Sequence, residues 1–205
     1  MVRSGRRAAT QGASHADAGR AAARGSLQVD IAFGGAYYGI VDAADLGLRV
    51  VPAATEALTR AGAAITEILR RDHTPAHPEA ADLGFVYGTI IVDRSPATSP
   101  DGLAADADVR NVTVFADSEV DRSPCGTGTC ALMAQGVARG TMGPGDELRN
   151  ASLTGAVFRG RIESLTRFGP HDAIVPTVAG RGYVTGSSTF QVDARDPLGG
   201  GFLLQ

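Results

Sequence analysis

The chain has 205 residues, a formal net charge of −3, and 19 basic residues that are all arginine. Such a balance exerts no general pull on nucleic acid or anionic lipid, and the absence of lysine excludes a Schiff-base or P-loop lysine supplied by this chain. No segment approaches the ~20 apolar residues of a membrane span, so the expected setting is cytoplasmic, with neither a membrane nor a nucleic acid as partner.

Residues 1–25 hold Arg3, Arg6, Arg7, Arg20 and Arg24 against the single acid Asp17, with no Leu, Ile or Phe. Such a stretch cannot bury a core and is expected to be a disordered leader. Its arginine-rich, acid-poor character resembles an organellar transit peptide, but the lack of large apolar residues argues against that. Order is expected from Leu27. "LQVDIAF" (27–33) alternates as a strand does, Gly34 and Gly35 mark a bend, and "AYYGIV" continues as a second strand. Leu58, Ile65, Ile68 and Leu69 recur at helical spacing, which predicts a helix over 55–71 with Thr55 as its N-cap. Residues 83–92 and 111–116 read as apolar strands, separated by a loop over 95–108. A second helix is predicted over 126–139. Short strands follow at 147–153, 156–164, 172–179, 181–185 and 187–193, with one more at the C-terminus. The fold class is α+β, mostly antiparallel strands with two helices.

The second helix carries Ala131, Leu132, Met133, Ala134, Val137 and Ala138 around nearly all its faces. A helix apolar all round is a buried one, so it is expected to be central, wrapped by strands, with its N-terminus opening on a pocket. There the sequence reads "DRSPCGTGT", residues 121–129. Free backbone N–H groups at a helix N-terminus attract anions, and Gly126 and Gly128 allow close approach. Cys125 lies where the helix dipole favours a thiolate. Asp121, four residues upstream, could pair with a cationic group on the same ligand, and a ligand with both carboxylate and ammonium is an amino acid. Plainer readings stand beside these: a lone cysteine before a helix is often inert, and Asp121 could simply cap a turn. Cys125 and Cys130 diverge at a helix start and are not expected to pair. C-x₄-C with no nearby histidine is not a zinc spacing, so no metal is expected.

"DRSPCGTGT" closely resembles the second catalytic motif of the proline racemase family, which also holds hydroxyproline epimerases and trans-3-hydroxyproline dehydratases. "VDIAFGGAYYGIVDA" (29–43), "HPE" (77–79), "RNVTVFADSEVDRSPCGTGT" (110–129), "TGAVFRGRI" (154–162) and "DPLGGGFLLQ" (196–205) are similar to that family in the same order. The resemblance covers residues 26–205 and implies a diaminopimelate epimerase-like fold: two similar halves, each a barrel-like antiparallel sheet around a central helix, with the site between them. It implies chemistry without a cofactor, in which a cysteine from each half faces the α-carbon of proline or hydroxyproline. By position, Cys125 would be the acid/base of the second half. Gly126 and Thr127 would offer N–H groups to the carboxylate, Asp121 would bind the ring amine, and Phe115 would pack on the ring. The plainer reading of Phe115 is an ordinary core aromatic on a strand. The dehydratase branch typically has threonine where this chain has Cys125, which favours racemisation or epimerisation; Cys130 reads as a helix-core residue.

The family's first motif, with the other cysteine, is absent from this sequence. The chain therefore resembles one half of a racemase, expected to be inactive alone. The segment 194–205 is expected to pack on the other half, leaving Phe202, Leu203 and Leu204 exposed. The partners expected are a small amino acid and either further copies of the chain or a complementing first-half chain. The alternatives are a trans-3-hydroxyproline dehydratase-type lyase, or a non-catalytic half of a split enzyme that binds proline-like amino acids.

Overall fold

The structure is a computed structural model describing residues 3–10, 27–94 and 106–203. One mixed sheet of eight strands runs in sequence order: β1 (Arg3–Thr10), β2 (Leu27–Phe33), β3 (Tyr37–Asp42), β4 (Val86–Asp93), β5 (Val109–Phe115), β6 (Glu147–Ser152), β7 (Val157–Phe168) and β8 (His171–Ala179). The described residues also form two α-helices, α1 (Thr55–Asp72) between β3 and β4, and α2 (Gly126–Ala138) between β5 and β6. The α+β class holds, but the sheet is less antiparallel than the sequence suggests: β3 pairs parallel with β4, and β5 with β6. Each parallel pair needs a crossover, and each helix is one.

Both crossovers step the same way across the sheet, yet β4 and β5 are antiparallel. Two right-handed crossovers that leave from oppositely directed strands must put their helices on opposite faces. The cores are divided accordingly. Tyr37, Val41, Val86, Ile91, Val112 and Val114 pack with Leu58, Ile65 and Leu69 of α1. Tyr38, Ile40, Ile90 and Val92 pack with Ala131, Leu132 and Met133 of α2, as do Ile162 and Ile174 from β7 and β8. The alternation of strand side chains sorts neighbouring residues into different cores.

Several boundaries depart from expectation. A 3-10 turn over Pro52–Ala54 leads directly into α1, so Ala54 holds the cap position; Thr55 is the first helical residue, and its hydroxyl donates to the Pro52 carbonyl at 2.6 Å. The backbone of Arg3–Thr10 pairs antiparallel with β2, where composition predicts no structure; an edge strand needs only backbone donors and acceptors from its partner. The rest of the expected leader, most of the 95–108 loop and Leu204 lie outside the described residues. Residues 181–185 and 187–193 form no strands, and from Gly180 to Leu203 the chain runs exposed. Val184 is 97% exposed, Phe190 89% and Leu203 90%.

Candidate functional site

Helix α2 is held at both ends. Residues Gly128–Gly136 are all buried. At its C-terminal end Asp30 accepts from Gln135 (3.0 Å) and Arg139 (2.9 Å), while Arg94 bridges Asp42 and Gln135. At its N-terminal end the Gly34–Gly35 bend is pressed against the first turn. A Cβ on Gly34 would lie 2.0 Å from the Thr127 carbonyl oxygen, so only glycine fits there.

Cys125 is the N-cap residue, 4% exposed. Its Sγ accepts from the Gly128 N–H at 3.3 Å, with the Thr127 hydroxyl at 3.6 Å and the Tyr38 hydroxyl at 3.8 Å. The Tyr38 and Thr127 hydroxyls are themselves 2.7 Å apart. Burial, and then the neighbouring Cys125, push the Tyr38 hydroxyl well above the ordinary tyrosine range, so it meets the sulfur as a neutral hydrogen-bonding group. Gly126 and Thr127 are exposed at the first two helical positions, where backbone N–H groups have no intrahelical acceptor. A buried sulfur and two exposed residues whose N–H groups lack an intrahelical acceptor thus share one helical turn.

The backbone at Cys125 is unusual: φ is +62° and ψ is +116°. For a residue with a Cβ this conformation costs on the order of 1–3 kcal/mol. The preceding carbonyl offsets it. Pro124 O accepts from Asn111 Nδ2 at 3.0 Å and Asn150 Nδ2 at 3.3 Å, with the Thr129 hydroxyl 3.4 Å away. Each such bond contributes roughly 1 kcal/mol net. Thr129 also donates to the Cys125 carbonyl at 2.8 Å and accepts from Asn150 at 2.9 Å.

Asp121 precedes this turn. Its Oδ1 accepts the Ser123 N–H at 2.8 Å, and its own N–H reaches Thr113 O on β5 at 2.9 Å. The turn-capping contact is therefore present, and the second carboxylate oxygen is left to other partners. Phe115 ends β5, half-buried against the α2-side core, with its ring 5.4 Å from Tyr87 in an edge arrangement. Tyr87 in turn meets Tyr38 at 6.0 Å and Phe85 at 6.2 Å. Cys130 sits inside the helix as read. Burial, and then Cys125, raise its thiol to about 11, and both cysteines are free. Among the described residues no cluster of metal-ligating side chains occurs, and no helix is long and apolar enough to cross a membrane.

The sequence brings Cys125, Gly126 and Thr127 into view but misses Tyr38, the Gly34 contact, Asn111 and Asn150. One signal for Tyr38 was available: adjacent tyrosines in a strand must face opposite sides, so one of the pair faces α2.

A curled α+β half-barrel with a cysteine-capped buried helix defines a class, and comparison with known proteins identifies the family. The profile described as proline racemase matches residues 16–203. The chain belongs to the proline racemase family. It is 40% identical over 183 residues to a trans-3-hydroxy-L-proline dehydratase of Burkholderia ambifaria, covering 88% of this chain and 52% of that protein. A 3-hydroxyproline 2-epimerase of Burkholderia multivorans is also 40% identical, with the same shares covered. Among solved structures, a hydroxyproline epimerase from Agrobacterium vitis with bound trans-4-hydroxy-L-proline superposes with a TM-score of 0.73 at 34% identity, covering 96% of this chain and 52% of that one. A probable proline racemase from Agrobacterium radiobacter with bound carbonate gives 0.71 at 32%, covering 88% and 50%. The chain spans about half the length of the curated relatives it matches.

Proposed function

We propose that this chain is one half of a cofactor-independent racemase or epimerase acting at the α-carbon of proline or hydroxyproline. The observation that carries this reading is the Cys125 sulfur lying 3.3 Å from the Gly128 N–H, at a helix end whose first two residues, Gly126 and Thr127, are exposed and carry N–H groups with no intrahelical acceptor. In this reading those two N–H groups hold the substrate carboxylate. Asp121 pairs with the ring ammonium through its remaining oxygen, and Phe115, with Tyr87 behind it, walls the ring. The Cys125 thiolate takes the α-proton from one face, leaving a planar carbanion stabilised as the enolate. An acid on the opposite face returns a proton and inverts the centre.

The sequence contains only Cys125 and Cys130, and Cys130 is buried inside the helix. Acid/base groups contribute roughly 10²–10⁴ in rate each, so the chain alone is expected to bind substrate weakly without inverting it. The exposed run from Gly180 to Leu203, carrying Tyr183, Val184, Phe190 and Val192, supports a partner surface; the reading places there a chain with the other half, or a second copy of this one. A dehydratase reading draws support from relatives of that name. In either case proline or trans-4-hydroxyproline should protect Cys125 from iodoacetamide at millimolar concentration, measured by mass spectrometry, whereas an amino acid amide should not. Equal labelling with and without the free amino acid removes the reading.

A further inference from the structure

We propose that Asn111 and Asn150 are positioning residues that aim the Cys125 thiol; this rests on the reading of Cys125 as the reacting group. Two peptide planes flank Cys125, and the structure pins both. On the N-terminal side, the Pro124 carbonyl is held by Asn111 at 3.0 Å and Asn150 at 3.3 Å. The N–H of the same plane donates to the Ser123 hydroxyl at 3.1 Å. On the C-terminal side, the Cys125 carbonyl accepts from the Thr129 N–H and the Thr129 hydroxyl, both at 2.8 Å. With both planes fixed, φ and ψ of Cys125 are fixed, and with them the direction of Cβ and the reach of Sγ to the Gly128 N–H.

The expenditure of polar groups here exceeds what satisfying a buried carbonyl requires. One donor would serve Pro124 O, yet two fully buried asparagines converge on it. Each leaves its own Oδ1 without a protein partner among the described residues. Stranding two buried acceptors is a poor way to stabilise a core. The surplus lies at the one carbonyl that sets a left-handed φ on the cysteine. Asn111 and Asn150 come from β5 and β6, which pair parallel through Val109↔Asn150 and Asn111↔Ser152. The clamp is thus built on the rigid sheet, not on the turn that it holds.

The test uses the full chain and its variants Asn111→Leu, Asn150→Leu and Ser123→Ala, the last releasing the other end of the same peptide plane from the surface. Alkylation of Cys125 and Cys130 by iodoacetamide is followed across pH by mass spectrometry, alongside thermal melting. The pH midpoint of Cys125 alkylation should rise by at least about half a pH unit in each variant, a roughly threefold loss of thiolate at fixed pH, while the Cys130 profile stays in place. Melting temperature should not track this change, since Leu removes an unpartnered oxygen as well as a donor. A parent in which Cys125 labels no faster than Cys130 removes the reading of the thiol itself, and the positioning role falls with it. A reactive parent with Cys125 midpoints unmoved in all three variants, whatever their melting temperatures, overturns the positioning role alone.

Discussion

The two helices occupy equivalent places in the chain, each bridging a parallel strand pair, and they differ in nearly everything else. Helix α1 buries one stripe, Leu58, Gly62, Ile65, Thr66 and Leu69, and shows its other side to solvent. Its cap residue, Ala54, offers no side-chain acceptor. Helix α2 is buried through most of its length, and its cap is a cysteine in a left-handed backbone. The sheet thus separates two tasks: one face supplies ordinary amphipathic packing, and the other holds a helix end in a conformation that packing alone would not choose. The lesson is that a helix apolar all round need not be only a core element. Enclosing its body is what allows its N-terminus to be placed with accuracy.

The independence of the two sheet faces is tested first on the α1 side. Replacing Leu58 or Leu69 by alanine should remove about 2–5 kcal/mol of stability, read by urea denaturation, while Cys125 labelling in the folded protein stays at the parent rate. A changed Cys125 rate under folding conditions would mean that the faces are coupled. Next in size is Gly34→Ala. The new Cβ would collide with the backbone of the first turn of α2, so a loss of roughly 1–3 kcal/mol is expected. Here, unlike on the α1 side, Cys125 labelling should change as well.

A third test turns on pH. The Cys130 thiol is raised to about 11 by burial and by Cys125, from an ordinary value of 9.0. Between those values the unfolded chain has lost a proton that the folded chain keeps. Its contribution is therefore complete below pH 9 and is lost as pH rises through 11. The expected size is about 1–3 kcal/mol, visible as a falling melting temperature over that window and flattened in Cys130→Ala. The smallest effect on the fold should come from the tail. Phe202→Ser with Leu203→Ser should change stability by less than about 0.5 kcal/mol, while sedimentation shows weaker association than in the parent. A large stability loss there would mean that the tail packs on its own body.

Much of this architecture was legible because the signals are local. Alternation finds β2 and β3, helical spacing finds α1, and continuous apolarity marks α2 as buried. Cys125 is legible because its neighbours, two glycines and a run of small polar residues, announce a helix start. What was not legible depends on residues far apart in the chain. Tyr38 meets Thr127 across 89 positions, and no pattern near either one records that contact. Asn111 and Asn150 read as ordinary strand residues until β5 and β6 lie side by side. Thr55 is not the cap that its residue type suggests, because the Pro52–Ala54 turn already carries the helical direction. Residues 181–185 and 187–193 are read as short strands, but local residue types report only the capacity to lie in a sheet. Without a neighbour to complete the ladder, the segment forms no strand and stays exposed.

In the proposed function this chain supplies one face of a two-sided proton transfer, through Cys125. The most direct measurement is polarimetry of L-proline and trans-4-hydroxy-L-proline with the purified chain, alone and mixed with a first-half fragment of a family member, each repeated with Cys125→Ala. No inversion is expected from the chain alone, inversion is expected on mixing, and Cys125→Ala should abolish it. Inversion by the chain alone, or inversion by the mixture that survives Cys125→Ala, would contradict it.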